Sequence, residues 1–334
     1  MIMAETTPPP ITRSAGATDR SWRDRVVLYG LLALFATGLA GLISATGWEE
    51  TWAELRKLSL GQIMALLALS LINYLIRGAR WHLLAVRLGL PLQLRHSVMH
   101  FVGGFAMTIT PGRVGELVRL RWINRMTGWP VERITPLPLA DRAFDLAAMG
   151  SVLGLGVLVS GAVGFGAAPV ALIAIGAAVV VTRPSLLEKL VEGLYALIRR
   201  WPRPFSRLRQ AARSMGVFSA ASVSGPALAM SAIGWIAEGI AFYLLLDWMG
   251  AEVSLATATV IFLFSTLAGG LTGAPGGLGG AEAAMMVLLT MQGVPLHVAL
   301  AATTVIRITT LWYAIGLGML TFPFAEKLSR KANS

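Results

Sequence analysis

The chain has 334 residues, of which 55% are hydrophobic and only 13% are charged, and its mean hydropathy is +0.68. Because a soluble domain carries about 25% charged residues, this composition indicates an integral membrane protein. The absence of cysteine excludes disulfides, thiolate chemistry and cysteine metal sites, and the placement of the net charge of +11 can orient the chain in a membrane.

The N-terminal segment 1–25 is rich in Thr, Pro and Ser and contains several arginines, which predicts a disordered basic tail. The apolar run that follows, residues 26–45, is too long for the core of a typical signal peptide, and no clear cleavage site comes after it. We therefore predict that this run is an uncleaved first transmembrane helix.

Six apolar segments are long enough to be predicted as full membrane spans. They are 26–45, 61–83, 137–159, 167–182, 226–249 and 297–321. Two further apolar stretches, 96–124 and 256–292, are interrupted by Pro-Gly breaks. Each of these two could be one broken crossing or a re-entrant pair of half-helices.

The two broken stretches share one pattern: a Gly pair, a Thr three residues before a Pro, a Pro-Gly break, and then Gly and Glu. The first copy comprises Gly103, Gly104, Thr108, Pro111, Gly112, Gly115 and Glu116, and the second comprises Gly269, Gly270, Thr272, Pro275, Gly276, Gly277, Gly279 and Glu282. Such breaks free backbone groups that lipid cannot satisfy, so they survive where they line a polar cavity. A matched pair of breaks in two halves of a chain is typical of a transporter binding site.

The distribution of Lys and Arg favours the re-entrant alternative. These residues are concentrated in 84–136, in 183–225 and in the two tails, whereas 250–296 contains none. If both broken stretches re-enter, every basic segment lies on the cytoplasmic side, as the positive-inside rule requires. This arrangement makes the two halves inverted repeats, with both termini in the cytoplasm.

The predicted fold class is therefore an all-α integral protein of the inner (cytoplasmic) membrane, with six full spans plus two re-entrant half-helix pairs in an inverted repeat. Its predicted parts are a tail at 1–25, a first membrane repeat at 26–160, a second membrane repeat at 161–325 and a C-terminal tail at 326–334. The second repeat contains the basic loop 183–225, whose leucines and basic residues predict an amphipathic helix on the membrane surface. Since every basic segment borders a span, we expect the basic residues to meet anionic headgroups and not nucleic acid.

Ionisable residues inside spans are costly, so they are functional candidates. Arg77 and Arg80 lie near the end of the second span, and Asp141, Arg142 and Asp145 lie in the first turns of the third; Glu238 and Arg307 lie mid-span. Other interpretations remain open for some of them. Arg80 could extend to the headgroups, and Glu238 and Arg307 could form a purely structural pair.

Residues near the first break also allow ordinary roles. Arg113, Arg119 and Arg121 could be positive-inside residues, and Glu116 could pair with Arg113 or Arg119. His96 and His100 have the i,i+4 spacing of metal ligands, but no third ligand is evident, and a helix contact is favoured for His100. We expect no metal, no cofactor and no catalytic residue set.

The half-helices after the two breaks begin with Gly-rich backbone, whose free N–H groups and positive dipole end suit a phosphate. We expect a substrate-binding set of Arg77, Arg80, Pro111, Gly112, Arg113, Glu116, Asp141, Arg142, Glu238, Pro275, Gly276, Gly277, Glu282 and Arg307. In this set the arginines bind a lipid headgroup phosphate, and the carboxylates balance charge or carry coupling protons.

The same motifs carry a family resemblance. They are Arg77-x-x-Arg80-Trp81, Thr110-Pro111-Gly112-Arg113-x-Gly115-Glu116, Ala140-Asp141-Arg142, Pro275-Gly276-Gly277-Leu278-Gly279 with Glu282, and Arg307. With them the chain resembles the family named for the transmembrane region of lysylphosphatidylglycerol synthase, also called flippase-like proteins. The resemblance implies a module that moves a modified phospholipid between leaflets. Nothing in this chain resembles the soluble aminoacyl-transferase domain of the full-length synthases.

The sequence thus predicts a flippase or transporter of an anionic, modified or glycosylated lipid. One alternative is a membrane-embedded transferase or hydrolase acting on a lipid-linked substrate, with Asp141, Asp145 and Glu116 as acid/base groups. Another is a non-transporting partner that recruits a lipid-synthesis enzyme through the loop 183–225.

Overall fold

The computed structural model describes residues 48–108, 114–160, 167–198 and 212–331, and these contain helices, turns and short connections with no strand among them. The predicted tail 1–25 and first span 26–45 lie outside the described residues, as does part of the basic loop. The α-helices of four or more residues in these ranges are α1 (Trp48–Lys57), α2 (Leu60–Arg87), α3 (Leu94–Gly103), α4 (Val114–Thr127), α5 (Val131–Ile134), α6 (Pro136–Ser160), α7 (Ala167–Thr182), α8 (Pro184–Ile198), α9 (Ala221–Trp248), α10 (Leu255–Leu271), α11 (Gly280–Met291), α12 (Leu296–Arg307) and α13 (Tyr313–Lys331).

Within the described ranges, four helical stretches are long and apolar enough to cross a bilayer: 60–87, 131–159, 221–248 and 296–330. They coincide closely with four of the six predicted spans, namely 61–83, 137–159, 226–249 and 297–321. A fifth is obtained if α7 and α8, which are bent by 96° at Arg183, form one broken span. The multi-pass membrane class is thereby confirmed, whereas the predicted number of six spans stays a prediction.

Local sequence explains where two central helices begin. Ser59 caps α2: its hydroxyl accepts from the backbone N–H of Gln62, and the Gln62 side chain accepts from the Ser59 N–H in return. Ser254 caps α10 in the same way by accepting from the Thr257 N–H. These caps satisfy donors that would otherwise be left unpaired at the helix ends.

The first broken stretch folds back on itself. Helix α3 continues into a 3-10 turn at Gly104–Met107, and α4 returns beside it. Gly103 packs against the Trp122 ring and the carbonyl of Gly104 lies against Gly115, so the contacts run antiparallel. Gly104 and Gly115 allow the two half-helices to lie this close together, because a Cβ atom at either position would collide with the other half-helix.

The second broken stretch forms a similar hairpin from α10 and α11. Gly269 packs against Ala281 and Gly277, and Gly280 packs against Thr272. The connecting turn passes through Gly276 (φ 63°) and Gly277 (φ 68°), which occupy the left-handed region that favours glycine. Both broken stretches are therefore hairpins of two short helices and not single straight crossings.

Helices α2 and α9 pack closely against each other. Gly234 of α9 lies against the side chain of Asn73, and Gly239 lies against Thr259 of α10. Gly150 of α6 lies against Ala171 of α7, the kind of close contact that small residues allow between helices. On the outside, leucines such as Leu158 are up to 83% exposed, as expected for a lipid-facing surface.

The last long helix differs from its predicted form in two ways. A π-helical stretch, Ile308–Trp312, separates α12 from α13 immediately after Arg307. Helix α13 then continues to Lys331, past the predicted start of the C-terminal tail at 326. The extension is anchored because Glu326 accepts hydrogen bonds from Trp122 Nε1 (2.6 Å) and Arg125 (2.7 Å) of α4.

Candidate functional site

A cavity of about 270 Å³ lies where the two hairpins meet α2, α6, α9 and the π-helical stretch. Its charged lining consists of four arginines and one carboxylate: Arg77, Arg119, Arg142, Arg307 and Glu238. Aromatic and aliphatic side chains complete the wall, among them Phe105, Phe262 and Leu311. The cavity thus offers cationic donors inside an apolar bundle.

Arg77 is held in place from three directions. Its Nη2 donates to Asp145 Oδ2 at 2.6 Å, and its guanidinium lies 5.1 Å from the Trp235 ring centre and 5.6 Å from that of Phe101. Its Nε has no hydrogen-bond partner among the described residues. A fixed guanidinium with a spare donor can bind an anion that enters the cavity.

Arg80 lies one turn further along α2, behind the cavity wall, and is fully buried. It donates to Asp141 (2.5 Å), to Asp145 (2.7 Å) and to the hydroxyl of Ser231. The alternative that Arg80 extends to the headgroups is therefore wrong, because its charge is neutralised inside the protein. Asp141 and Asp145 share one face of α6, as their spacing predicts, and both face Arg80.

Arg307 connects the last long helix to the second hairpin. Its Nε donates to Glu282 Oε1 at 2.5 Å, and its Nη2 donates to the carbonyl of Gly276 at 2.8 Å. The alternative that Glu238 and Arg307 form a purely structural pair is thus wrong, since Arg307 pairs with Glu282. The π-helical stretch that follows Arg307 adds one residue to a turn, a feature that is frequent at functional sites.

Glu238 is 2% exposed and accepts a hydrogen bond of 2.8 Å from Asn73 Nδ2. Sequence reasoning missed Asn73, because a neutral amide in an apolar span is a weak signal. Its position four residues before Arg77 places it on the same face of α2, and that spacing could have revealed it. The neighbouring Tyr74 donates to the Thr310 carbonyl in the π-helical stretch at 2.7 Å.

Arg119 was also missed as a site residue. It is 3% exposed, donates to the Phe101 carbonyl at 2.6 Å and lies over the Phe101 ring at 4.4 Å, so it is not an ordinary headgroup-facing arginine. Such close contact with an aromatic face stabilises a buried guanidinium. His100 is buried against the Trp122 ring at a centroid distance of 5.5 Å, which confirms the predicted helix contact.

The remaining predicted residues are divided between the cavity and its surroundings. Arg142, Gly276 and Gly277 line the cavity, whereas Arg80 and Asp141 lie behind it. Pro111, Gly112 and Arg113 lie outside the described residues, as do the side chains of Glu116 and Pro275. In the described part of the chain no group of three or more His, Asp or Glu side chains could hold a metal ion.

Comparison with known proteins gives a family match over most of the chain. The model of the family described as "Lysylphosphatidylglycerol synthase TM region" matches residues 25–318. Two proteins of Methanothermobacter thermautotrophicus, each named "UPF0104 membrane protein", are similar. One is 27% identical over 262 residues, covering 73% of this chain and 78% of the relative. The other is 24% identical over 332 residues, covering 90% of this chain and 96% of the relative.

Proposed function

Because the chain belongs to the family of the lysylphosphatidylglycerol synthase transmembrane region, we propose that it is a lipid flippase or lipid transporter of the inner membrane. Its cargo is an anionic lipid with a modified or glycosylated headgroup. The observation that carries this proposal is the cavity lined by four arginines inside an apolar helical bundle. In a bilayer, a phosphate headgroup is the anion that such donors most readily meet.

The size of the cavity fits a headgroup better than a whole lipid. Its volume of about 270 Å³ is slightly below the range of roughly 300–1,000 Å³ found for drug-sized ligands. A headgroup phosphate can contact Arg77, Arg142 and Arg307 while its acyl chains stay in the surrounding lipid. Guanidinium groups suit this role because their planar forks match phosphate oxygens.

The two hairpins supply the proposed inverted repeat. In each hairpin a glycine before the break packs against a residue of the returning half-helix: Gly104 against Gly115, and Gly269 against Ala281. In the proposed topology both hairpins are re-entrant pairs and both termini lie in the cytoplasm, which the positive-inside rule supports. Six full spans and two repeats, 26–160 and 161–325, complete the proposed topology.

The enzymatic alternative is less favoured by the geometry. Asp141 and Asp145 are bound to Arg80 behind the cavity, so they are poorly placed to exchange protons with a substrate. The non-transporting alternative depends on the loop 183–225. Deleting that loop abolishes function under this alternative but only weakens it under transport.

Purified protein in liposomes that contain fluorescent phosphatidylglycerol tests the proposal. Dithionite bleaches only the fluorescent lipid in the outer leaflet, which is about half of the total. If the protein moves lipid between the leaflets, the lipid of the inner leaflet also becomes accessible, and the bleached fraction rises towards completeness. We expect Arg307→Gln to abolish this gain, because it removes both the Glu282 and the Gly276 contacts. The matched control is Lys327→Gln, an exposed cation near the chain end. Bleaching equal to that of protein-free liposomes contradicts the proposal.

A further inference from the structure

Glu238 differs from the other deeply buried carboxylates that the structure describes in this bundle. Asp141 and Asp145 pair with Arg80, and Glu282 pairs with Arg307, each at 2.7 Å or less. Glu238 is as buried as they are, but no cation lies within ion-pair distance of it in the described ranges. Among the described residues its hydrogen bond of normal length comes from the neutral amide of Asn73, and the hydroxyl of Ser70 also lies near it.

Two unpartnered atoms accompany this isolated carboxylate. Glu238 Oε2 and Asn73 Oδ1 are both buried without a hydrogen-bond partner among the described residues. Burying an ionised carboxylate without a cation is costly, and such a group favours its neutral form. A proton on Glu238 removes the negative charge of the carboxylate. The resulting O–H group can donate a hydrogen bond to an amide oxygen such as that of Asn73.

We propose that Glu238 is a proton-binding site coupled to the anion site of the cavity. It takes up one proton when a phosphate ester binds beside the arginines and releases it when that anion leaves. The step is a carboxylate plus a proton giving a carboxylic acid, so a singly charged headgroup moves together with one proton and no net charge crosses. This inference rests on the proposed lipid transport and specifies how the same cavity is regulated.

The charged groups around Glu238 explain the coupling. From α2 it faces Arg77 and Tyr74, and from α12 it faces Arg307. From α6 the cavity receives Arg142, and Asp145 lies behind the wall at 3.2 Å from Trp235 Nε1. Helix α10, which also lines the cavity, carries no ionisable side chain.

Burial favours the neutral form of Glu238, and the positive charges of Arg77 and Arg307 oppose burial by favouring the ionised form while the cavity is empty. A bound phosphate neutralises these charges and adds a negative one at the same place, which favours protonated Glu238. Because linkage is reciprocal, protonation of Glu238 must raise the affinity for the anion by the same factor. The cavity therefore binds anion and proton together.

The test uses purified protein in a weakly buffered solution with a pH indicator dye. Dioctanoyl phosphatidylglycerol is added while binding is measured by calorimetry and proton uptake by the dye. We expect the full-length protein to take up as much as one proton per bound lipid, and its affinity to fall about tenfold between roughly pH 6 and 8. Glycerophosphoglycerol, a phosphate diester without acyl chains, is the acyl-free comparison, and proton uptake with either ligand supports the inference.

Glu238→Gln keeps the shape and the Asn73 contact but cannot titrate. We expect it to bind the lipid without proton uptake and with an affinity that hardly changes with pH. The control Glu252→Gln, an exposed carboxylate in the turn before α10, should behave like the parent. Parent-like proton uptake in Glu238→Gln overturns the inference.

The parent protein by itself provides a second test that needs no variant. Lipid binding without proton uptake at any pH between about 5 and 9 overturns the inference but leaves the proposed function standing. If the parent binds no anionic lipid at all, the inference and the proposed function fail together.

Discussion

Replacing Arg80 by Met should destabilise the protein severely, although Arg80 does not line the cavity. The side chain is fully buried and bonded to Asp141, Asp145 and Ser231. Its removal leaves Asp141 without its cation, whereas Asp145 keeps Arg77. Breaking a buried ion pair from one side costs about 3–5 kcal/mol, because the remaining charge is buried and uncompensated. We therefore expect a loss of about that size in the free energy of unfolding.

The measurement is unfolding of the purified protein in mixed micelles, followed by Trp fluorescence. Arg87→Met, an exposed arginine at the end of the same helix, is the matched control and should change stability by less than about 0.5 kcal/mol. Adding Asp141→Leu to Arg80→Met removes the stranded charge and should recover much of the loss. If Arg80→Met is as mild as Arg87→Met, the buried network does not stabilise the fold and the reasoning is refuted.

Three further predictions concern topology and the cavity. A reporter fused after Ser334 should lie in the cytoplasm, and an external reporter would contradict the inverted repeat. Gly276→Val should weaken binding of an anionic lipid more than Pro275→Ala does, because the backbone of Gly276 has a φ of 63°, at which Val is strained. Equal lipid-titration curves for the two variants would contradict this. Glu238→Ala and Arg307→Ala should each abolish lipid movement in liposomes, and the double variant should not recover it, since the two side chains do not pair with each other.

Much of the fold follows from composition and pattern. The helices that correspond to the predicted spans 61–83, 137–159 and 226–249 have bounds within five residues of those predicted, because apolar runs of that length are strong signals. The Pro-Gly breaks are also strong signals, because a proline followed directly by glycine disfavours a continuous helix more than either residue does alone. The family resemblance is confirmed by the match over residues 25–318.

The pairing of charges could not be predicted in the same way. Glu238 and Arg307 both lie mid-span, and the sequence does not tell which helices are neighbours. In the structure α11 packs against α12, so Glu282 of α11, and not Glu238 of α9, forms the ion pair with Arg307. The π-helical stretch could not be predicted for a similar reason, since Ile308–Trp312 has the composition of an ordinary apolar helix.

Leaflet-resolved lipid analysis of a strain lacking the gene tests the central claim most directly. We expect the distribution of an anionic lipid between the two leaflets to shift in that strain relative to the parent. The parent gene should restore its distribution, whereas a gene encoding Arg307→Gln should not. An unchanged distribution of every anionic lipid class in the deletion strain, or full restoration by Arg307→Gln, would contradict the account.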